Sequence, residues 1–162
     1  MARKVEIVPA DLMHIEEIAP RLRQADIDEM WSAYRHQPLD GLTRSLEISS
    51  EVWAGSVNSE LVCLFGIGPI CLMTGRGTPW FVATDAITRY QFTFLTYCAP
   101  IVDYMLDVFP HLENQVDARN KVAIRWLKWL GFEIHDPQPF GFDQLPFHRF
   151  TLHRKAQQCV NR

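Results

Sequence analysis

Val5, Ile7 and Pro9 stand at the period-two spacing of a short first strand. Leu12, Ile15, Ile18 and Leu22 then recur at helical spacing, with Asp11 in place to cap the first turn. Pro20 ends or kinks that helix, because proline has no N–H and its ring clashes with the preceding turn. A second helix is predicted over 25–34, from Ile27, Met30 and Trp31, and a third over 39–49. Two apolar, β-rich runs at 52–57 and 61–67 flank Asn58-Ser59-Glu60, a hairpin signal. Pro69 and the cluster at 74–79 predict the next turn, and 80–84 a buried strand.

The second half is less regular. Proline is tolerated in the first helical turn and disruptive later, so Pro100 predicts a regular helix from about Tyr97 to Phe109. A long connection over 86–96 precedes it. A strand follows at 112–117, then a helix opened by Asn120 and a strand at 132–135. The Pro- and Gly-rich stretch 136–147 reads as a loop, leading to a last strand at 148–154.

The helix after Asn120 carries the most information. Lys121, Arg125 and Lys128 form one polar stripe, and Ala123, Leu127 and Leu130 an apolar one. Val122, Trp126 and Trp129 make a second apolar stripe. Gly131 supplies the left-handed residue that closes such a helix, with Phe132 folding back over its last turn. Asn120 is placed to cap it.

This Asn-x-x-Ala-Ile-(six residues)-Gly-Phe pattern resembles the asparagine-to-Gly-Phe segment of the GNAT superfamily of N-acetyltransferases. The resemblance implies an α+β fold: one domain with a mixed, mostly antiparallel sheet of six to seven strands flanked by helices. It also implies a cleft where strand 4 splays from strand 5. The domain spans 1–162, with its core at about 4–154 and a flexible tail at 155–162. Acetyl-CoA is the implied cofactor, held by Ala83, Thr84, Arg89, Thr96 and Asn120, with Thr93 as a further phosphate donor. Two features depart from the family pattern. The stretch 84–100 has no glycine where the family's phosphate loop carries several, so a bulky loop that excludes the cofactor is the competing expectation. Leu127 stands where many active members carry a tyrosine as general acid.

Acetyl transfer to an amine needs a proton acceptor and polarisation of the thioester carbonyl. Asp85, at the end of the fourth strand, is the first candidate base, and its alternative role is that of a turn residue. Glu29, with Asp26 one helical turn away, offers a carboxylate from the second helix to a cationic substrate. The alternative is a solvated acidic face. Tyr97, or Tyr90, is the candidate replacement for the missing general acid.

A narrower resemblance comes from DEMWSAY, SEVWAGSV, LFGIGPI, PWFVATDAI, the segment 112–134 and PFHRF taken in order. Together they are similar to the phage gene-13-type proteins, the T7-like internal virion or assembly proteins. Two functions follow from the resemblances. One is a phage-encoded N-acyltransferase acting on an amine of a small molecule or protein. The other is a catalytically inactive factor that binds a virion or host protein.

Composition narrows the rest. The formal net charge is −3, which gives no support for a nucleic-acid surface. The six histidines never pair with one another or with cysteines at metal-ligand spacing, so no metal is expected. The four cysteines form no CxxC pair and suit free thiols in a reducing compartment. No apolar stretch approaches the roughly 20 residues that span a bilayer. The expectation is a cytoplasmic protein, in the host cytoplasm if phage-encoded.

Overall fold

The computed structural model describes residues 2–155. The chain is a single α+β domain. Seven strands, β1 (Val5–Pro9), β2 (Glu51–Val57), β3 (Glu60–Cys71), β4 (Arg76–Ala83), β5 (His111–Asp117), β6 (Glu133–Phe140) and β7 (Leu145–His153), form one sheet in the order β1-β2-β3-β4-β5-β7-β6. Every neighbouring pair is antiparallel except β4 and β5. Helices α1 (Leu12–Ile18), α2 (Gln24–Tyr34) and α3 (Pro38–Ile48) belong to the first half, and α4 (Gln91–Val108) and α5 (Lys121–Trp129) to the second.

Two apolar clusters sandwich the sheet. Ile15, Ile18, Leu22 and Leu42 pack with Ala54, Leu61, Leu64 and Val82. Phe65, Ile67, Ala83, Met105, Leu112, Ile124, Leu127 and Phe150 are among those of the other cluster. Strand β3 is buried continuously from Leu61 to Gly68, as expected of a central strand covered on both sides. Asp11 caps α1 in a reciprocal box with His14, and Pro20 lies in a 3-10 turn at Ala19–Arg21 that ends it.

Three boundaries differ from the sequence expectation. Strands β3 and β4 pair out to Cys71 and Arg76, so the turn expected over 74–79 contracts to the tip at 72–75. Gly75 makes that tip with φ +65. Helix α4 starts at Gln91 and contains Pro100, so the connection expected over 86–96 is replaced by a short 3-10 turn at Asp85–Thr88 and the helix itself. Packing of Phe94, Cys98, Ile101 and Met105 on the sheet outweighs the one carbonyl bond that the proline forfeits.

The loop expected over 136–147 is mostly strand. Pro137 and Pro139 sit on β6, the outermost strand, where a missing ladder donor is tolerated. Only the turn at 141–144 remains, and it docks on the end of α2. Phe142 and Asp143 donate backbone N–H groups to the carbonyls of Ala33 and Ser32, at 3.1 Å each. The part of the expected tail beyond Lys155 lies outside the described residues.

Candidate functional site

Strands β4 and β5 pair only at Arg76–His111 and Gly77–Leu112, then diverge. Thr84 donates its N–H to Val62, so strand alternation turns the polar groups of residues 79, 81 and 83 away from β3 and into the opening. The opening is occupied by side chains. Asn114 bridges it, donating to the Pro79 carbonyl at 2.8 Å and accepting from Gln115 N–H at 2.7 Å. Further out, α2 crosses the mouth. Asp26 accepts the Ala83 N–H at 3.0 Å, and the Ala83 carbonyl accepts the Arg23 N–H at 2.9 Å. On the facing strand, Glu29 accepts the Asp117 N–H at 3.0 Å. Pro79 has no N–H, which leaves Phe81 as the only β4 residue whose donor points into the splay without a partner from α2.

Three carboxylates therefore meet here with different electrostatics. Asp26 is buried, and desolvation pushes its pKa up against the counter-pull of Arg23, which grips it with two bonds of 3.0 Å. Burial also raises Glu29, to about 7, against the Asp117 N–H and the neighbouring Asn120 side chain. Asp117 is desolvated too, but side-chain and backbone bonds from Arg119 overcome that and hold it below the usual range. Asn120 caps α5 by accepting the Ala123 N–H at 3.2 Å.

On the other side of the sheet, aromatic rings fill the space between β4, α4 and α5. Phe81 and Phe94 have ring centroids 4.9 Å apart, and Trp126 lies 5.3 Å from each. The Trp126 indole N–H is buried here without a partner among the described residues. Leu127, also buried, brings no hydroxyl to the cleft.

The sequence-predicted residues divide into two groups. Glu29, Ala83 and Asn120 come together at the mouth of the splay, Glu29 and Asn120 as side chains and Ala83 through its backbone. The remainder lie elsewhere. Asp85 is exposed in the 3-10 turn, where its carbonyl accepts the Thr88 hydroxyl. The Thr84 hydroxyl is buried with no partner among the described residues. Arg89 is paired with Glu60 at 3.0 Å, and the Thr93 hydroxyl accepts from Arg3 at 3.0 Å. The Thr96 hydroxyl donates to the Phe92 carbonyl within α4. Tyr97 lines a small apolar cavity of about 40 Å³ beside Ile7, Gly55 and Phe65, under α4 on the β1–β3 side. Tyr90 donates weakly to Glu60 at 3.4 Å. Asn114 and the Phe81–Phe94–Trp126 group had no sequence signal, because each matters only through partners brought close by the fold. Among the described residues, no group of three or more His, Cys, Asp or Glu is placed to hold a metal ion.

The fold has many relatives of known structure. A spermidine N-acetyltransferase from Vibrio cholerae, in complex with CoA and spermine, superposes with a TM-score of 0.72 over 93% of this chain and 95% of that one, at 12% identity. An N-acetyltransferase from Staphylococcus aureus gives 0.70 over 94% and 99%, at 14% identity. The ribosomal-protein-S18-alanine N-acetyltransferase from Escherichia coli gives 0.66 over 97% and 99%, at 15% identity. The fold is the GNAT acetyltransferase fold. No family model matches the chain, and no curated protein matches it.

A GNAT fold implies acetyl-CoA in the β4–β5 cleft, with its phosphates at the start of the helix after β4. Some of the residues present occupy that placement and others leave it open. The backbone groups of Ala83 are both taken by α2 and three rings pack between β4, α4 and α5, while the Phe81 N–H points into the splay unpartnered and Arg89, beside the start of α4, makes only an exposed pair with Glu60. Among the described residues, no helix is long and apolar enough to cross a membrane.

Proposed function

We propose that this chain is a GNAT-fold interaction protein of the phage gene-13 type. In this reading it works in the host cytoplasm as a virion-assembly or host-interaction factor and carries out no acyl transfer in its cleft. The observation that carries the reading is the filled cleft. Asp26 and Glu29 occupy backbone donors on the two facing strands, while Phe81, Phe94 and Trp126 close the side where a thioester arm would lie. Buried polar groups with satisfied bonds are costly to open, so these contacts hold the splay as a rigid joint between the two halves of the sheet. The similarity of six sequence segments to the gene-13-type proteins supplies the assembly context.

The test is affinity capture of the tagged full chain from phage-infected cells, with cross-linking before lysis. The reading expects one virion or host protein to be recovered in stoichiometric amount. Absence of any stable partner, together with saturable binding of acetyl-CoA, contradicts it.

A second reading has its own observation. Glu29, raised to about 7 at the mouth of the splay and beside Asn120, has the pKa of a general base working at neutral pH. It favours an N-acyltransferase directed at an amine, on a small molecule or a protein. Incubation with labelled acetyl-CoA and a panel of polyamines and lysine peptides, followed by mass spectrometry, tests it. That reading requires product from the wild type and none from Glu29→Gln.

A further inference from the structure

His111 begins β5 and His153 ends β7, and the register sets them directly opposite each other. Arg154 N–H bonds the Pro110 carbonyl and His111 N–H bonds the Gly75 carbonyl, so His111–His153 is a non-hydrogen-bonded cross-strand pair. Side chains of such pairs approach most closely. The two imidazoles meet edge to face with centroids 4.0 Å apart and Nδ1 atoms 2.9 Å apart. Behind His111, its Nε2 lies 3.2 Å from Glu113 Oε2. Arg149, at 3.1 Å, and Arg76 hold the same carboxylate in place.

We propose that His111 and His153 chelate a divalent transition-metal ion through their Nδ1 atoms, Cu²⁺ most tightly, with water at the remaining positions. Three features of the pair suit this. Metal–imidazole bonds of about 2.0–2.1 Å put cis nitrogens of a tetragonal ion about 2.9 Å apart, against about 3.3 Å for a tetrahedral one. At 2.9 Å, the length of the N–H···N bond that the metal-free pair makes, the two Nδ1 atoms already stand as close as cis ligands of a tetragonal ion such as Cu²⁺ or Ni²⁺. Glu113 also gives His111 the carboxylate behind the ring that metal-bound histidines commonly have, fixing the proton on Nε2 and leaving Nδ1 as a lone pair.

The third feature is proton accounting. With the His111 proton on Nε2 toward Glu113, the contact of the metal-free pair is His153 Nδ1–H donating to His111 Nδ1. On binding, that proton leaves Nδ1 while the exposed His153 ring takes one on Nε2 from water, so both Nδ1 lone pairs face the ion with no net proton release. Arg76 and Arg149 place two positive charges against the single carboxylate of Glu113, which weakens the site without blocking it. Cu²⁺ should bind more tightly than Ni²⁺ or Zn²⁺, following the usual order of divalent affinities.

The test is titration of the full chain with CuCl₂, by calorimetry and by electron paramagnetic resonance. The wild type should take up one strongly held ion whose spectrum shows two coordinated imidazole nitrogens. His153→Asn, at an exposed position, and His111→Asn should each lower the association constant by at least about tenfold. A wild-type spectrum with fewer than two imidazole nitrogens overturns the proposal, whether or not the variants fold. So does a folded His153→Asn protein that titrates like the wild type, which would place the copper on other surface histidines.

Discussion

Glu29 on α2 accepts the backbone N–H of Asp117 on β5 at 3.0 Å, across 88 residues of sequence. A helix side chain thus takes the place of a neighbouring strand at the point where β4 has diverged. Its carboxyl is pushed from 4.5 to about 7, chiefly by burial. The folded state therefore holds the Glu29 proton more tightly than the unfolded chain. Stability should fall as pH rises from about 4.5 to about 7 and level off above, by up to about 3 kcal/mol. Glu29→Gln keeps an acceptor for the Asp117 N–H and removes the titration. Urea unfolding should find it about 2 kcal/mol more stable than the wild type at pH 8 and little different at pH 4.5. An identical pH slope in both proteins contradicts this.

Asp26 satisfies two groups at once, the Ala83 N–H and the Arg23 guanidinium. Asp26→Ala leaves a buried donor and a partly buried cation without a partner. The expected loss is about 3 kcal/mol. Asp26→Asn, which keeps an oxygen for Ala83, should lose less. Denaturant midpoints of the two variants measure the difference.

The Phe81–Phe94–Trp126 group predicts a core-like response at a place where a cofactor channel is expected. Phe94→Ala should cost about 3 kcal/mol, the ordinary price of deleting a packed ring. Thermal unfolding checks it, and a change below about 0.5 kcal/mol would mean the rings do not pack in solution.

Gly141 has φ +71, and a Cβ there would lie 2.5 Å from the Cα of Ala33. Gly141→Ala meets strain and a backbone clash together. It should lift the turn at 141–144 off α2, lowering stability by at least about 2 kcal/mol. Faster amide exchange at Phe142 and Asp143, whose N–H groups bond α2, is the direct readout.

Local chemistry made part of this structure legible in advance. Asn120 and Gly131 bound a helix because their signals are short-range: Asn120 caps, and Gly131 takes φ +95 while Phe132 N–H returns to the Leu127 carbonyl at 3.1 Å. Pro100 misled for the same reason. Its local preference placed the helix start near Tyr97, while packing of Phe94 and Cys98 carries α4 back to Gln91. Asp26 and Glu29 were readable as a pair one turn apart. That each serves a different strand depends on contacts 57 and 88 residues distant. The spacing of Arg23 and Asp26 was the available sign that Asp26 is held by an ion pair. His111 and His153 are brought together by strand register across 42 residues, which no spacing rule reports.

The cleft of this GNAT fold is filled by its own side chains. Calorimetric titration of the full chain with acetyl-CoA tests it most directly. A filled cleft gives no saturable heat up to millimolar ligand, and no rise in melting temperature. A saturable isotherm with one molecule bound per chain would show instead that the cleft admits the cofactor.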